Sequence, residues 1–475
     1  MLRKHCNRWL LIVVLALMLG ACIPYSFSPP KEVHIDPGDS VRWPQIAVDA
    51  EGVSHLVGVV DDRIVYYRTH FGEPVITHNF TMSAPGAQHN PDIAVTDNGD
   101  VYIVWVEYRS DLGQFACWQK LPFFMPPGEE WPNDCEPLDE VDIQTTGNVR
   151  VVARGNKAYA VYDSMYTGDY IDALMYKELT HPSTTGHVFS YIDYSLTGFI
   201  YSLDLGIDSL GYLHVGFHDK YNPAGGTTYN ERLSLHSNVS VYDDGDMAQH
   251  WLITTTNSTN ESVPVSLSFG KISGIEYVAL ASVDYPSENV DSIWIHSCTS
   301  NGCSSNNSFE VVLPSSWDTY SKIFDVEIQG GDDYLDLAFL GRDNPMTYEQ
   351  VYYKKAYSPD DPRLLSDTIH SMKTNLNMVS IVSRDPSYTA RPALTSIAWV
   401  ETIINTDDST RQNRFFTYDV PEFNKKVKVY EETCSSLVLG DIHSNGSYFS
   451  GVWYVCGDTW FSTQAWTNQL PLIMK

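Results

Sequence analysis

Residues 89–107 read H-N-P-D-I-A-V-T-D-N-G-D-V-Y-I-V-W-V-E, two apolar runs joined through Asp97, Asn98 and Gly99. β-Branched and aromatic residues flanking such a turn encode a β-hairpin. The same pattern is written again at residues 43–61 and 201–219. A hairpin that recurs along a chain cannot bury its faces alone and must stack on its own copies. That requirement narrows the fold more than any single residue does.

Weaker copies follow at residues 148–163, 263–284, 323–343, 377–401 and 437–458, making eight in all. Their spacing, roughly 47 to 62 residues, is that of four-stranded propeller blades. A third strand is legible after each hairpin, at residues 64–68, 115–119, 173–177, 233–236, 292–296, 351–355, 415–418 and 459–463. No amphipathic helix interrupts the array. The expected fold is an all-β, eight-bladed β-propeller of four-stranded antiparallel blades over residues 31–475, with seven blades if one weak copy fails. Ring closure has two candidate strands: residues 32–35, ahead of the first hairpin, or residues 470–474 at the end.

The first residues carry Arg3, Lys4 and Arg8, an apolar run over residues 9–19, and then Leu19-Gly20-Ala21-Cys22. A basic start, a short apolar segment and small residues before a cysteine describe a leader of residues 1–21. The run falls short of the roughly 20 apolar residues that span a bilayer. The leader resembles the lipobox of bacterial lipoproteins, which implies that Cys22 is lipidated. Residues 22–30 read as a Pro- and Ser-containing spacer. The expected location is therefore outside the cytoplasm, tethered by lipid to the cell membrane or outer membrane.

Six further cysteines fall into close pairs along the chain: Cys117 with Cys135, Cys298 with Cys303, and Cys434 with Cys456. In an oxidising compartment, neighbouring pairs are read as local disulfides. The net charge of −29 excludes nucleic acid and anionic lipid as partners held by general electrostatics.

The unit P-x-I-A-V-D-x-x-G-x-x-H-L-V resembles the repeats of sialidase-like (BNR-type) β-propellers, and His89-Asn90-Pro91 is similar to the corresponding segment of propeller polysaccharide lyases. The resemblance implies a propeller in which carbohydrate chemistry is common. The sialidase box S-x-D-x-G-x-x-W is absent, and Arg42-Trp43-Pro44 is the one echo of the sialidase arginine motif.

Aligned, the copies place an acid where the second strand ends: Asp61, Glu107, Asp163, Asp219, Asp284, Asp343, Glu401 and Asp458. Short turns mark one face of a propeller, so these acids open the variable loops of the other. Two readings compete. Asp leaves a strand well because its side chain caps nearby N–H groups; alternatively, several acids converge on the funnel, where carboxylates bind a cation such as calcium or serve as acid and base.

The same loops offer Tyr108, Tyr166, Tyr229 and His218 beside Arg42, His89, Arg109 and Arg342, a mixture that suits sugar rings. A lyase would draw its base and its uronate partner from His89, Tyr166 and Arg109. His55 and His214 occupy matching places in two copies and read as repeat packing. Residues 97–100 and 243–246 are acidic turns lacking the later bidentate Glu of an EF-hand loop. The expected function is recognition of a carbohydrate or protein ligand by the variable-loop face, with a glycoside hydrolase or polysaccharide lyase as the alternative.

Overall fold

The computed structural model describes the strands between residues 31 and 465 and many of the turns joining them, with side chains described within residues 41–352. Residues 1–30, 33–40 and 466–475 and most long loops lie outside that description, and with them Cys22 and the spacer. The chain is all-β, and its strands pair antiparallel. The described residues form eight four-stranded sheets. Their first strands are Arg42–Val48, Ala87–Val95, Val149–Arg154, Ile200–Ile207, Val265–Ile272, Lys322–Gly331, Asn375–Ser383 and Leu439–Ser444. Sheets one to seven each take consecutive strands, whereas sheet eight borrows Lys31–Glu32 as its outermost strand. Lys31 lies opposite Phe461 and Glu32 opposite Trp460. Residues 470–474 lie outside the described residues.

Each strand alternates its side chains between two neighbouring sheets. In Val101–Arg109, the residues Val101, Ile103 and Trp105 pack with Val57, Val59 and Tyr66 of sheet one. From the same strand, Tyr102, Val104 and Val106 pack with Val149, Ala160 and Tyr162 of sheet three. Burial on both faces explains why Val53–Val60 is buried throughout, Ser54 and His55 included, rather than at alternate residues. Similar clusters join sheets three and four, four and five, and five and six. First strands touch in chain order, and the first strand of sheet eight returns against that of sheet one.

The two ends of the sheets are built differently. At one end, tight turns link the first and second strands. Asp49 Oδ1 accepts from the backbone N–H of Glu51 and Val53, and Asp208 Oδ1 accepts from Leu210 and Tyr212. Gly52 and Gly211 take φ of 83° and 87° in these turns, a region open to glycine. The other oxygen of each Asp meets a buried histidine, His55 at 3.2 Å and His214 at 3.0 Å. These histidines therefore lock the repeat.

At the opposite end the first strands begin irregularly. Bulges fall between Arg42 and Gln45, His89 and Asp92, Ile200 and Ser202, Ile323 and Asp325, and Leu376 and Val379. Trp43 and Asn90, inside two of them, both have φ of 49°.

Candidate binding face at the start of the first strands

A bulge inserts a residue that the partner strand cannot pair, and so re-aims its side chain. Trp43 is thereby left 37% exposed and Phe324 44% exposed, each at the variable-loop end of a first strand. The Arg342 guanidinium stands 5.5 Å over the Phe324 ring. Tyr108, 48% exposed, leaves the second strand of sheet two at the same end, opposite Ala87. Among the described residues, every exposed large aromatic lies at this end, while the exposed aliphatics Leu210 and Ile275 sit at the tight-turn end.

Below the bulges, polar side chains on the first strands link one sheet to the next. Asp92 accepts from its own neighbour Ile93 and, across to sheet three, from Val151 N–H at 2.9 Å. Asp204 repeats this with Leu205 and with Leu267 of sheet five at 2.6 Å. Ser266 Oγ accepts from Ile328 N–H of sheet six at 3.1 Å and donates to Glu327 at 3.0 Å. Arg150 occupies the matching position in sheet three, and its charge acts on both aspartates. Burial pushes the Asp92 carboxyl up, against the pull of Arg150 and two amides. Burial likewise pushes Asp204 up to about 6.

The sequence reasoning missed this layer. The signal was present: Gln45, Asp92 and Asp204 each stand four residues before the polar residue that opens the tight turn, Asp49, Thr96 or Asp208.

The strand-end acids occupy diverse surroundings. Asp61 is exposed in a turn with φ of 46°. Glu107 is fully buried and accepts from Arg109 Nε at 2.7 Å. Asp163, 3% exposed, accepts from the backbone and side-chain nitrogens of Asn148 at 3.2 and 3.1 Å. The side chains of Asp219, Asp284, Glu401 and Asp458, and all of Asp343, lie outside the described residues.

Among the other candidates, His89 is partly buried beside Asp62, and burial holds its pKa below the ordinary value against that carboxylate. His218 is fully buried, and desolvation lowers it to about 4. The side chains of Arg42 and Tyr166, and all of Tyr229, lie outside the described residues.

Cys117 and Cys135 form a disulfide that ties the outermost strand of sheet two to its third. Cys298 is disulfide-bonded. Cys303 and Cys456, and the side chain of Cys434, lie outside the described residues. Glu107 lies near the Cys117–Cys135 sulfurs, but a disulfide offers no thiolate to a metal. In the turn at residues 97–100, Lys120 Nζ holds the Asp100 carboxylate at 2.6 Å. Residues 243–246 lie outside the described residues.

No protein-family profile matches the chain, and no curated protein matches it. Among solved structures, it is similar to a polysaccharide lyase at 8% identity, covering 93% of each chain with a TM-score of 0.44. A protein of unknown function from Dyadobacter fermentans is 10% identical, with 93% of this chain and 100% of that one covered and a TM-score of 0.40. The sialidase of Trypanosoma rangeli is 14% identical over 70% of this chain and 59% of that one, with a TM-score of 0.35.

Proposed function

We propose that the chain is a closed eight-bladed propeller, held outside the cytoplasm by lipid on Cys22, that binds carbohydrate through its variable-loop face. The observation that carries this reading is the segregation of Trp43, Tyr108 and Phe324 to one end of the sheets. Flat aromatic faces cover the C–H surfaces of a sugar while neighbouring polar groups take its hydroxyls. Arg342 over Phe324, together with half-buried His89, supplies such groups. The bulges support the same reading, because they set Trp43 and Phe324 outward at a cost in ladder hydrogen bonds that packing alone does not require.

Among the described buried carboxylates, the state of Asp163 and Asp204 favours recognition over catalysis. Both oxygens of Asp204 accept backbone N–H bonds, and both oxygens of Asp163 are held by Asn148. A general acid or base needs an oxygen free to reach substrate. The test is a glycan array on the purified protein, with and without calcium, followed by mass analysis of each bound glycan. Binding with intact glycans is expected. Cleaved or unsaturated products would replace this reading with a hydrolase or lyase, and silence on every glycan would point to a protein ligand.

A further inference from the structure

On this acidic chain, the tight-turn end of sheets three to five carries a local patch of apolar and basic side chains. Leu210 and Ile275, 57% and 59% exposed, project from the turns of sheets four and five. Arg154, Lys157 and Lys271 stand in or beside the tight turns of sheets three to five, with Arg154 and Lys271 exposed. The turns are tied into one plate. Glu276 accepts from Ser209 N at 2.8 Å and from Arg154 Nη1 at 3.2 Å, and Arg154 also donates to the Ile207 carbonyl at 2.8 Å. The Lys157 stem lies across Gly211. In sheets one and two the corresponding turns expose Glu51 and Asp97 instead.

Chain direction adds an independent observation. The strand Lys31–Glu32 runs antiparallel to Asp458–Ala465, with Lys31 opposite Phe461 and Glu32 opposite Trp460. Asp458–Ala465 starts at the variable-loop end, so Lys31–Glu32 enters its sheet from the tight-turn side. The nine residues from Cys22 to Pro30 precede it. Fully extended, they reach about 30 Å.

From these observations we infer that the tight-turn face of sheets three to five docks on the anionic leaflet that holds the chain's own lipid, presenting the variable-loop face to the surroundings. The inference rests on the lipid-anchor reading. Leu210 and Ile275 would enter the interfacial region, and Arg154, Lys157 and Lys271 would meet lipid phosphates. Lipid at sheet eight and apolar tips at sheets four and five give two separated points of contact, which set an orientation that one flexible tether does not.

The full lipidated chain, reconstituted in 3:1 phosphatidylethanolamine–phosphatidylglycerol vesicles carrying nitroxide headgroups, tests this. A fluorophore is placed through Leu210→Cys or, for comparison, Phe324→Cys. Quenching at position 210 should exceed that at 324 at least threefold, and Lys157→Glu with Lys271→Glu should abolish the difference while flotation with vesicles persists. Equal quenching at both positions in floating protein overturns the docking and leaves the anchor standing. Loss of flotation with quenching retained at 210 removes the anchor and leaves the docking face; loss of both removes both.

Discussion

The Asp92 carboxylate accepts the backbone N–H of Val151 at 2.9 Å, joining the first strand of one sheet to the first strand of the next. Asp204 and Ser266 make the same link further round, to Leu267 and Ile328. Each places a charge-bearing or hydroxyl acceptor where a first-strand amide would otherwise lack a partner. Replacing Asp92 by Ala should cost about 1–3 kcal/mol, because the Val151 amide then loses its acceptor. Ser266→Ala should cost about 1 kcal/mol. Urea unfolding of both variants checks the ranking.

Asp204 carries a pH signature. Its folded pKa of about 6 stands above the ordinary 3.8, so the fold prefers the protonated carboxyl. The stabilisation is complete below about 3.8 and is lost as pH rises to 6 and beyond. Wild type should therefore lose about 1–3 kcal/mol relative to Asp204→Asn between pH 4.5 and 7.5. Buried His218 and His296 act in the opposite sense, since each is depressed to about 4 by desolvation. Their contribution is present above 6.5 and is lost as pH falls toward 4, so the difference between wild type and variant is the quantity to follow.

Glu107 and Arg109 should behave as a buried ion pair. The Glu107 side chain is fully enclosed, while that of Arg109 is 30% exposed. Arg109→Met leaves the carboxylate uncompensated and should cost about 3 kcal/mol. Adding Glu107→Leu should recover part of that loss. A double-mutant cycle measured by thermal unfolding decides it.

Gly330 is a close-approach position. A Cβ there would meet the Phe269 carbonyl oxygen of sheet five at 2.3 Å, and backbone cannot swing aside as a side chain can. Gly330→Ala should destabilise by about 2 kcal/mol or more, seen as a lowered unfolding midpoint.

The rings at the variable-loop end should contribute to both binding and stability. Trp43→Ala and Phe324→Ala should each weaken glycan binding about tenfold, alongside a stability loss of about 1–2 kcal/mol from removing a ring that is more than half buried. Titration calorimetry alongside thermal unfolding reads the two effects apart.

Much of the strand order was legible because hairpin chemistry is local. The Asp49–Gly52 turn and its copies specify a reversal wherever they occur, and the unbroken apolar run in Val101–Arg109 specifies two buried faces. The pairing of Cys117 with Cys135 was legible by proximity. The strand-end acids were legible as a set but not as individuals: Asp61 is exposed, while Glu107 and Asp163 are buried and bonded, at aligned positions. Neighbouring residues such as Arg109 and Asn148 make that difference, and alignment of repeats averages them away.

By itself the sequence determined that the chain is a repeated antiparallel array, because the turn residues and β-branched apolar runs act over a few residues. Tertiary structure decided which terminal strand joins sheet eight, which amide each of Asp92 and Asp204 serves, and where Trp43 and Phe324 emerge. Those outcomes depend on atoms tens of residues apart being brought within hydrogen-bond or contact distance, and no local pattern encodes that approach.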